Sequence, residues 1–118
     1  MTVRYTFKRS ERLIFSRDFM RVKQNGRYFI CNGLTLQILR TTNNNPPRLG
    51  LVVSKRVGIA VVRNRVKRLI REVFRLNKHT LIPGCDIVAV PNAQRVQDAY
   101  HDMERDFMSL CKKAKIIQ

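Results

Sequence analysis

The sequence predicts a small α/β domain of the two-layer α+β kind, with helices packed on one four-stranded sheet in the order helix, three strands, helix, strand, helix. An Asn-Gly pair separates two strand-like runs, and two further apolar runs flank a long amphipathic segment. The chain has 118 residues, enough for one well-cored domain and too few for two. We therefore predict a single domain over 1–118, beginning with a basic arm at 1–13.

The first half of the chain predicts a helix followed by a hairpin. Ser16 is the predicted N-cap of the first helix, and the pair Asn25-Gly26 is a good C-terminal signal. Residues 27–31 and 34–40 are β-rich runs joined by Asn32-Gly33, the strongest short-range hairpin signal.

The second half alternates strand and helix. Residues 48–54 (RLGLVVS) are nearly all apolar, which predicts a third strand in the middle of the sheet. A long helix over about 61–77 and a buried fourth strand at 85–90 (CDIVAV) follow. Steps of three and four residues predict a last helix with this apolar stripe: Val96, Tyr100, Met103, Phe107, Leu110 and Ala114.

The charge of the chain points to a polyanionic partner. Lys and Arg number 24 against 8 Asp and Glu, giving a net charge of +16. Phosphate backbones reward such clustered charge by releasing condensed counterions. A membrane surface is disfavoured because the chain has no Trp and its basic helix needs its apolar face for the core. We predict an RNA-binding domain.

The helix VVRNRVKRLIREVFRL carries the densest charge. Its apolar residues cluster on one side, and the opposite side and its borders hold Arg63, Asn64, Arg65, Lys67, Arg68, Arg71 and Arg75. Glu72 is its only acid, so repulsion costs a few tenths of a kcal/mol per like-charged pair. Such a face favours RNA phosphates as ligands. Asn64 is a candidate for a base edge, a 2′-hydroxyl or a hydrated metal ion, or for a local backbone bond at the helix start.

The block LGLVVSKRVGIAVVRNRVKRLIREVFR resembles the protein subunit of bacterial ribonuclease P. Its Arg-Asn-Arg start, followed by Lys-Arg and a further Arg, is the motif of that family. Phe7, Arg9, Arg12 and Leu13 resemble the family's N-terminal element, and 17–19 its first helix. The resemblance extends from about Phe7 to Pro91 and loosely over the last helix.

The resemblance implies a ribonucleoprotein that removes the 5′ leader from precursor tRNA. Its RNA subunit carries the catalytic site and the Mg²⁺, so we expect the protein to contribute no catalytic residue and to bind no metal or cofactor alone. The expected partners are the catalytic RNA and precursor tRNA, in the cytoplasm. Family members also make a left-handed β-α-β crossover through the basic helix, against the usual right-handed rule.

Carried over residue by residue, the resemblance places Arg63, Asn64, Arg65, Lys67, Arg68 and Arg71 against the catalytic RNA. It implies that Phe19 lines a leader cleft beside the sheet, although Phe19 has an equal interpretation as core. Lys55 and Arg56 are expected phosphate contacts near the substrate. The chain departs from the family pattern at Lys23, where some relatives carry an aromatic, and at Gln37, where an aromatic of the second strand is expected. Either Tyr28 or Phe29 compensates, or leader binding relies more on charge than on stacking.

Little in the sequence predicts chemistry by the protein itself. Cys31, Cys85 and Cys111 are odd in number and far apart, as expected of reduced thiols in a cytoplasm. Asp98, Asp102 and Asp106 recur every four residues, and nearby cations favour a solvated, ion-paired face over a metal stripe. The alternatives are a ribosomal or assembly protein, a metal-dependent protein nuclease, and a DNA-binding architectural protein.

Overall fold

The computed structural model describes residues 6–118, and its elements follow the predicted order. The helices are α1 (Ser16–Asn25), α2 (Ala60–Asn77) and α3 (Tyr100–Lys113). The strands are β1 (Arg27–Cys31), β2 (Leu34–Arg40), β3 (Arg48–Leu51) and β4 (Cys85–Pro91). Short 3-10 turns lie at Arg9–Glu11, Lys55–Val57, Lys78–Thr80 and Ala93–Arg95. The mixed class and the four-stranded sheet are confirmed, while residues 1–5 of the predicted arm lie outside the described residues.

The sheet has the strand order β1-β2-β4-β3. Strands β1 and β2 form the predicted antiparallel hairpin, and Asn32 and Gly33 at its turn have φ values of 46° and 80°. Both residues tolerate this left-handed region, which is why Asn-Gly predicts such a turn. Strand β3 pairs with β4 in parallel, so α2 makes the β-α-β crossover between them. The hand of that crossover stays a prediction.

The prediction for the third strand was wrong in both length and place. Strand β3 ends at Leu51, and it lies at the edge of the sheet. The strand is apolar for a different reason, which is that the arm covers its outer edge. The amide of Leu13 donates to the carbonyl of Leu49 over 2.9 Å, and both side chains are buried.

The two faces of the sheet are covered by different helices. On one face, Leu36, Ile38 and Ile87 pack with core residues of α2 and α3. On the other face, Val88 packs with Val22 of α1 and Leu13 of the arm. Helices α2 and α3 thus form the predicted second layer, and α1 adds a partial third layer on the opposite side.

Two helix boundaries differ from the prediction. Helix α1 begins at Ser16 itself, with Phe15 in the N-cap position. Helix α3 begins at Tyr100, and Val96 follows a 3-10 turn instead. The side chain of Asn92 accepts a hydrogen bond from the amide of Gln94 and fixes that turn. The apolar stripe therefore continues across a turn that periodicity alone does not reveal.

Candidate RNA interface

Helix α2 separates its side chains as the periodicity predicts. Val66, Ile70, Val73 and Phe74 are buried in the main core. On the other side, Asn64, Arg65, Arg68 and Arg71 are exposed, and Arg63, Lys67 and Arg75 are half-buried. We call these seven residues the basic ridge.

Members of the basic ridge differ in their partners within the protein. Arg65 donates through Nη1 to the carbonyl of Val96 and through Nη2 to that of Asp98, the latter over 3.0 Å. Arg75 lies 2.7 Å from a carboxylate oxygen of Glu72, and their hydrogen bond raises the pKa of Arg75 and lowers that of Glu72. Two members of the ridge are therefore already engaged.

The remaining cations of the ridge are differently placed. Within residues 6–118, Lys67, Arg68 and Arg71 have no ion pair with a carboxylate. The Nε atom of Arg63 is buried and has no acceptor in the same part of the chain. A buried donor without an acceptor is costly to the folded state.

A cleft of about 430 Å³ lies between α1 and the sheet. The predicted residues Phe19, Lys23 and Gln37 all line it. Its other lining residues are Ile14, Ser16, Met20, Val52, Val88 and Val90. Apolar side chains of the cleft are exposed to water, among them Met20 at 52% and Val52 at 43%.

Phe19 lies at the inner wall of the cleft. Its ring sits so close to Gly50 that a Cβ atom there would be 2.6 Å from Phe19 Cε1. It also packs against Leu13, Val22 and Val88 in the smaller core cluster. The two interpretations of Phe19 are thus compatible, because one part of the side chain packs in the core and another lines the cleft.

Three predicted residues lie around the cleft and not in its lining. Tyr28 is opposite Gln37 in the β1–β2 register, and its hydroxyl donates to the carbonyl of Lys23 over 3.3 Å. Lys55 and Arg56 are exposed in the 3-10 turn after β3. Arg56 lines an adjacent cavity of about 380 Å³ that shares Val90 with the cleft.

A third cavity, of about 260 Å³, joins the cleft to the basic ridge around the edge of β3. Phe19 lines it from the cleft side, and Lys67 and Arg71 line it from the ridge. Phe7 and Arg12 of the arm complete its wall, with the Arg12 guanidinium 4.5 Å from the centre of the Phe7 ring. We call it the junction cavity.

The arm is fixed at the junction cavity by a buried ion pair. Lys78 Nζ lies 2.6 Å from a carboxylate oxygen of Glu11 and also donates to the carbonyl of Thr6. Both partners are buried, at 8% and 6% exposed. This pair attaches the arm to the end of α2 and so positions Phe7 and Arg12.

Two buried thiols and one exposed histidine lie outside these surfaces. Burial raises the pKa of the Cys85 and Cys111 thiols to about 12, which keeps them protonated. His101 is exposed, and its Nε2 lies 3.2 Å from Asp102. Between residues 6 and 118, no three His, Cys, Asp or Glu side chains are grouped to hold a metal ion. That part of the chain also contains no helix long and apolar enough to cross a membrane.

Comparison with known sequences decides the family. A family model described as Ribonuclease P matches residues 7–115. The chain belongs to the ribonuclease P protein family. The ribonuclease P protein component of Natranaerobius thermophilus is 38% identical over 101 residues, which cover 86% of this chain and 87% of the relative. That of Clostridioides difficile is 36% identical over 111 residues, covering 93% and 96%.

Solved structures of ribonuclease P proteins share the fold. The Staphylococcus aureus protein superposes with a TM-score of 0.83 at 25% identity, covering 93% of this chain and all of the other. The Thermotoga maritima protein gives 0.78 at 29% identity, covering 87% and 96%. As a ribonuclease P protein component, the chain is part of an endoribonuclease and a partner of ribonuclease P RNA.

The apolar lining of the cleft was missed at the level of sequence. Val88 and Val90 alternate with Ile87 and Ala89, so the period of two places them on the face opposite the main core. That alternation could have revealed them. Met20 and Val52 carry no comparable signal, because their exposure depends on how α1 sits on the sheet.

Proposed function

We propose that this ribonuclease P protein binds the catalytic RNA along the basic ridge and the 5′ leader of precursor tRNA in the cleft. The observation that carries the proposal is the junction cavity. Phe19 of the cleft and Lys67 and Arg71 of the ridge line that one cavity. Two RNA segments bound at these surfaces would lie side by side, as removal of a leader by an RNA catalyst requires.

The basic ridge suits a phosphate backbone. Lys67, Arg68 and Arg71 project from one side of a rigid helix and are not neutralised by carboxylates within residues 6–118. An RNA backbone would relieve their mutual repulsion and release counterions. Arginine can in addition grip a phosphate with two parallel hydrogen bonds. Asn64, uncharged and exposed beside them, suits a 2′-hydroxyl or a base edge.

The cleft suits an unpaired strand. Phe19 offers an aromatic face, and the exposed apolar side chains of Met20 and Val52 extend that surface for bases. Lys23 supplies a cation at the same cleft, with Tyr28 beside it. Lys55 and Arg56 extend positive charge along the adjoining turn. In this proposal the RNA subunit performs the cleavage with Mg²⁺ in the cytoplasm, and the protein holds the leader and neutralises phosphates.

The test is single-turnover cleavage of a precursor tRNA by bacterial ribonuclease P RNA at low Mg²⁺, with and without the protein. We expect strong stimulation by the intact protein and none by Arg68→Glu, Arg71→Glu. The charge-matched control is Lys112→Glu, Lys113→Glu, because both residues are exposed on α3 and away from the cavities described above. We expect this control to stimulate normally, and equal stimulation by both variants would contradict the assignment of the ridge.

A second arm of the experiment addresses the leader. Phe19→Leu keeps an apolar side chain in the smaller core cluster but removes the aromatic face. Base stacking is worth about 1–3 kcal/mol, so we expect this variant to bind precursor tRNA less tightly and mature tRNA unchanged. If the protein binds RNA tightly but never stimulates cleavage, the alternative of a ribosomal or assembly protein is favoured. Cleavage by the protein alone would favour a protein nuclease.

A further inference from the structure

A cavity of about 640 Å³ lies beside the start of α1, on the side where the arm and the β2–β3 loop meet. Five arginines line it: Arg9, Arg12, Arg17, Arg21 and Arg48. They come from the arm, from α1 and from β3, so distant parts of the sequence converge here. We call it the arginine cavity.

Two of these arginines are held in fixed positions. Arg48 donates through Nε and Nη2 to the two carboxylate oxygens of Asp86, both over 2.8 Å. Arg21 Nη2 lies 3.1 Å from Asp18 and 3.3 Å from Asp86. Asp86 is 3% exposed, so its charge is neutralised from the cavity side by these two guanidinium groups. They form a preorganised wall.

The other three arginines lack such partners. Arg9, Arg12 and Arg17 have no ion pair with any carboxylate of residues 6–118. Arg17 lies over the ring of Phe15, 5.1 Å from its centre. Even after Asp18 and Asp86 are set against the five arginines, three positive charges are left uncompensated. Gathering these charges in one cavity is unfavourable unless an anion binds there.

Neutral amides complete the cavity. Asn43 and Asn45 line it from the β2–β3 loop. The loop is held in place because Gly84 donates to the carbonyl of Asn45 over 2.8 Å, and the Asn45 amide donates to Asn43 Oδ1 over 3.0 Å. Amide groups beside arginines can bond ribose hydroxyls next to phosphates, which favours an RNA backbone over an isolated anion.

The arginine cavity continues the surfaces already described. Arg12 lines both the arginine cavity and the junction cavity, where Lys67 and Arg71 also lie. Ile14 borders the arginine cavity, the junction cavity and the cleft. An RNA strand leaving either surface would therefore reach it directly, across residues that the cavities share.

We propose that the arginine cavity is a further binding site for the phosphate backbone of single-stranded RNA. The inference rests on the proposed function, since it extends the same RNA-binding surface. Two sources could supply this backbone: the catalytic RNA, or the leader beyond the segment held in the cleft.

The test replaces Arg9 and Arg17, because the loss of these two arginines leaves no carboxylate unpaired. The variant Arg9→Gln, Arg17→Gln is compared with Lys112→Gln, Lys113→Gln, which removes the same charge from α3. Affinity is measured against salt for ribonuclease P RNA alone, and for the assembled holoenzyme with precursor tRNAs of short and long leaders. Neutralising two fewer phosphates of single-stranded RNA should lower the slope of log affinity against log salt by about 1.4. A variant with Arg9→Lys, Arg17→Lys should recover most of that slope.

The two sources give different outcomes. A lower slope with ribonuclease P RNA alone assigns the cavity to the catalytic RNA, and a change confined to long leaders assigns it to the leader. Slopes equal to those of the control in both arms would overturn the inference. If the arginine-cavity variant has no effect but Arg68→Gln, Arg71→Gln still lowers RNA affinity, the proposed function stands. If neither variant has an effect, both the arginine-cavity proposal and the proposed function are contradicted. Binding of inorganic phosphate without any effect on RNA would also overturn it.

Discussion

Arginines in two regions of this molecule have opposite surroundings. Arg95, beneath α3, is 4% exposed; its Nη1 lies 2.6 Å from Asp106 and its Nη2 lies 2.6 Å from Asp98. It also donates to the carbonyl of Asn32 in the β1–β2 turn, over 3.1 Å. Arg68 and Arg71 of the basic ridge are exposed, and no carboxylate of residues 6–118 pairs with them.

One residue type therefore serves two purposes in this protein. A guanidinium group taken out of water must find carboxylates and carbonyls, and once it has them it joins the segments that supply them. Arg95 thereby joins the hairpin turn, the segment before α3 and α3 itself. Arg68 and Arg71 stay in water, where the fold does not need them, so they remain available to a partner.

Removing a carboxylate partner of the buried Arg95 should have the largest effect on stability. Asp106→Ala leaves Arg95 buried with one carboxylate fewer, and removing one partner of a buried ion pair costs about 3–5 kcal/mol. Chemical denaturation measures the free energy of unfolding. The control is Arg105→Ala, whose side chain is 63% exposed and whose contacts to Asp102 and Asp106 should be worth less than about 1 kcal/mol. Equal losses for the two variants would contradict the importance given to burial.

Replacing the exposed arginines of the ridge should weaken RNA binding and leave the free energy of unfolding unchanged. Removing one cation that neutralises a phosphate lowers the salt slope by about 1, so Arg68→Gln, Arg71→Gln should lower it by about 2. If the affinities converge near 1 M salt, that change is about a hundredfold loss of affinity for ribonuclease P RNA at 0.1 M salt, or about 2.7 kcal/mol. Titration across salt concentrations measures it. A clear fall in the free energy of unfolding would show that these side chains also support the fold.

Arg65 combines features of both regions. It lies on the ridge, yet it donates to the carbonyls of Val96 and Asp98. Arg65→Gln should cost about 1–2 kcal/mol of stability, because it removes both hydrogen bonds. Its effect on the salt slope should be smaller than that of Arg68→Gln, measured in the same titration. A decrease of a full unit in the slope would mean that Arg65 leaves its carbonyl partners to bind RNA.

What could be predicted from the sequence depended on the range of the interactions involved. The faces of α2 follow from its helical period, and the hairpin follows from the backbone freedom of Asn32 and Gly33, so both were predicted correctly. The burial of β3 at the edge of the sheet depends on the arm, because Leu13 pairs there with Leu49, which follows it by 36 residues. No local pattern contains that information.

The charged residues before and within α3 show the same limit. Asp98, Asp102 and Asp106 were predicted to form an ion-paired, solvated face, and their ion pairs are present. Asp106, however, is 3% exposed, because Arg95 reaches it from beneath the helix. Spacing along a helix predicts which side chains are neighbours on that helix. The contact between Arg95, which lies in a 3-10 turn before the helix, and Asp106 is a tertiary feature. The resemblance to a family brought Phe19, Lys23 and Gln37 together for a similar reason, since residue spacing alone does not join them.

The smallest predicted effect is a pH dependence arising in the buried region. Burial alone would raise the pKa of Asp106, but hydrogen bonds from Arg105 and Arg95 outweigh it and lower that pKa below the usual 3.8. The folded state thus favours the charged form, and this contribution to stability is present above pH 3.8 and is lost as the pH falls through the lowered pKa. The stability difference between the intact protein and Asp106→Asn should narrow below pH 3.8, by at most about 1.4 kcal/mol per pH unit.

Asp98 supplies the control with the opposite sign. Burial raises the pKa of Asp98 above 3.8, despite the opposing charge of Arg95. Its charged form is disfavoured in the folded state, so acidification through the raised pKa should stabilise the intact protein relative to Asp98→Asn. Denaturant unfolding between pH 6 and 3 measures both differences. If the two stability differences change in the same direction with pH, the distinction is contradicted between Asp106, whose charged form two arginines stabilise, and Asp98, whose charged form burial disfavours.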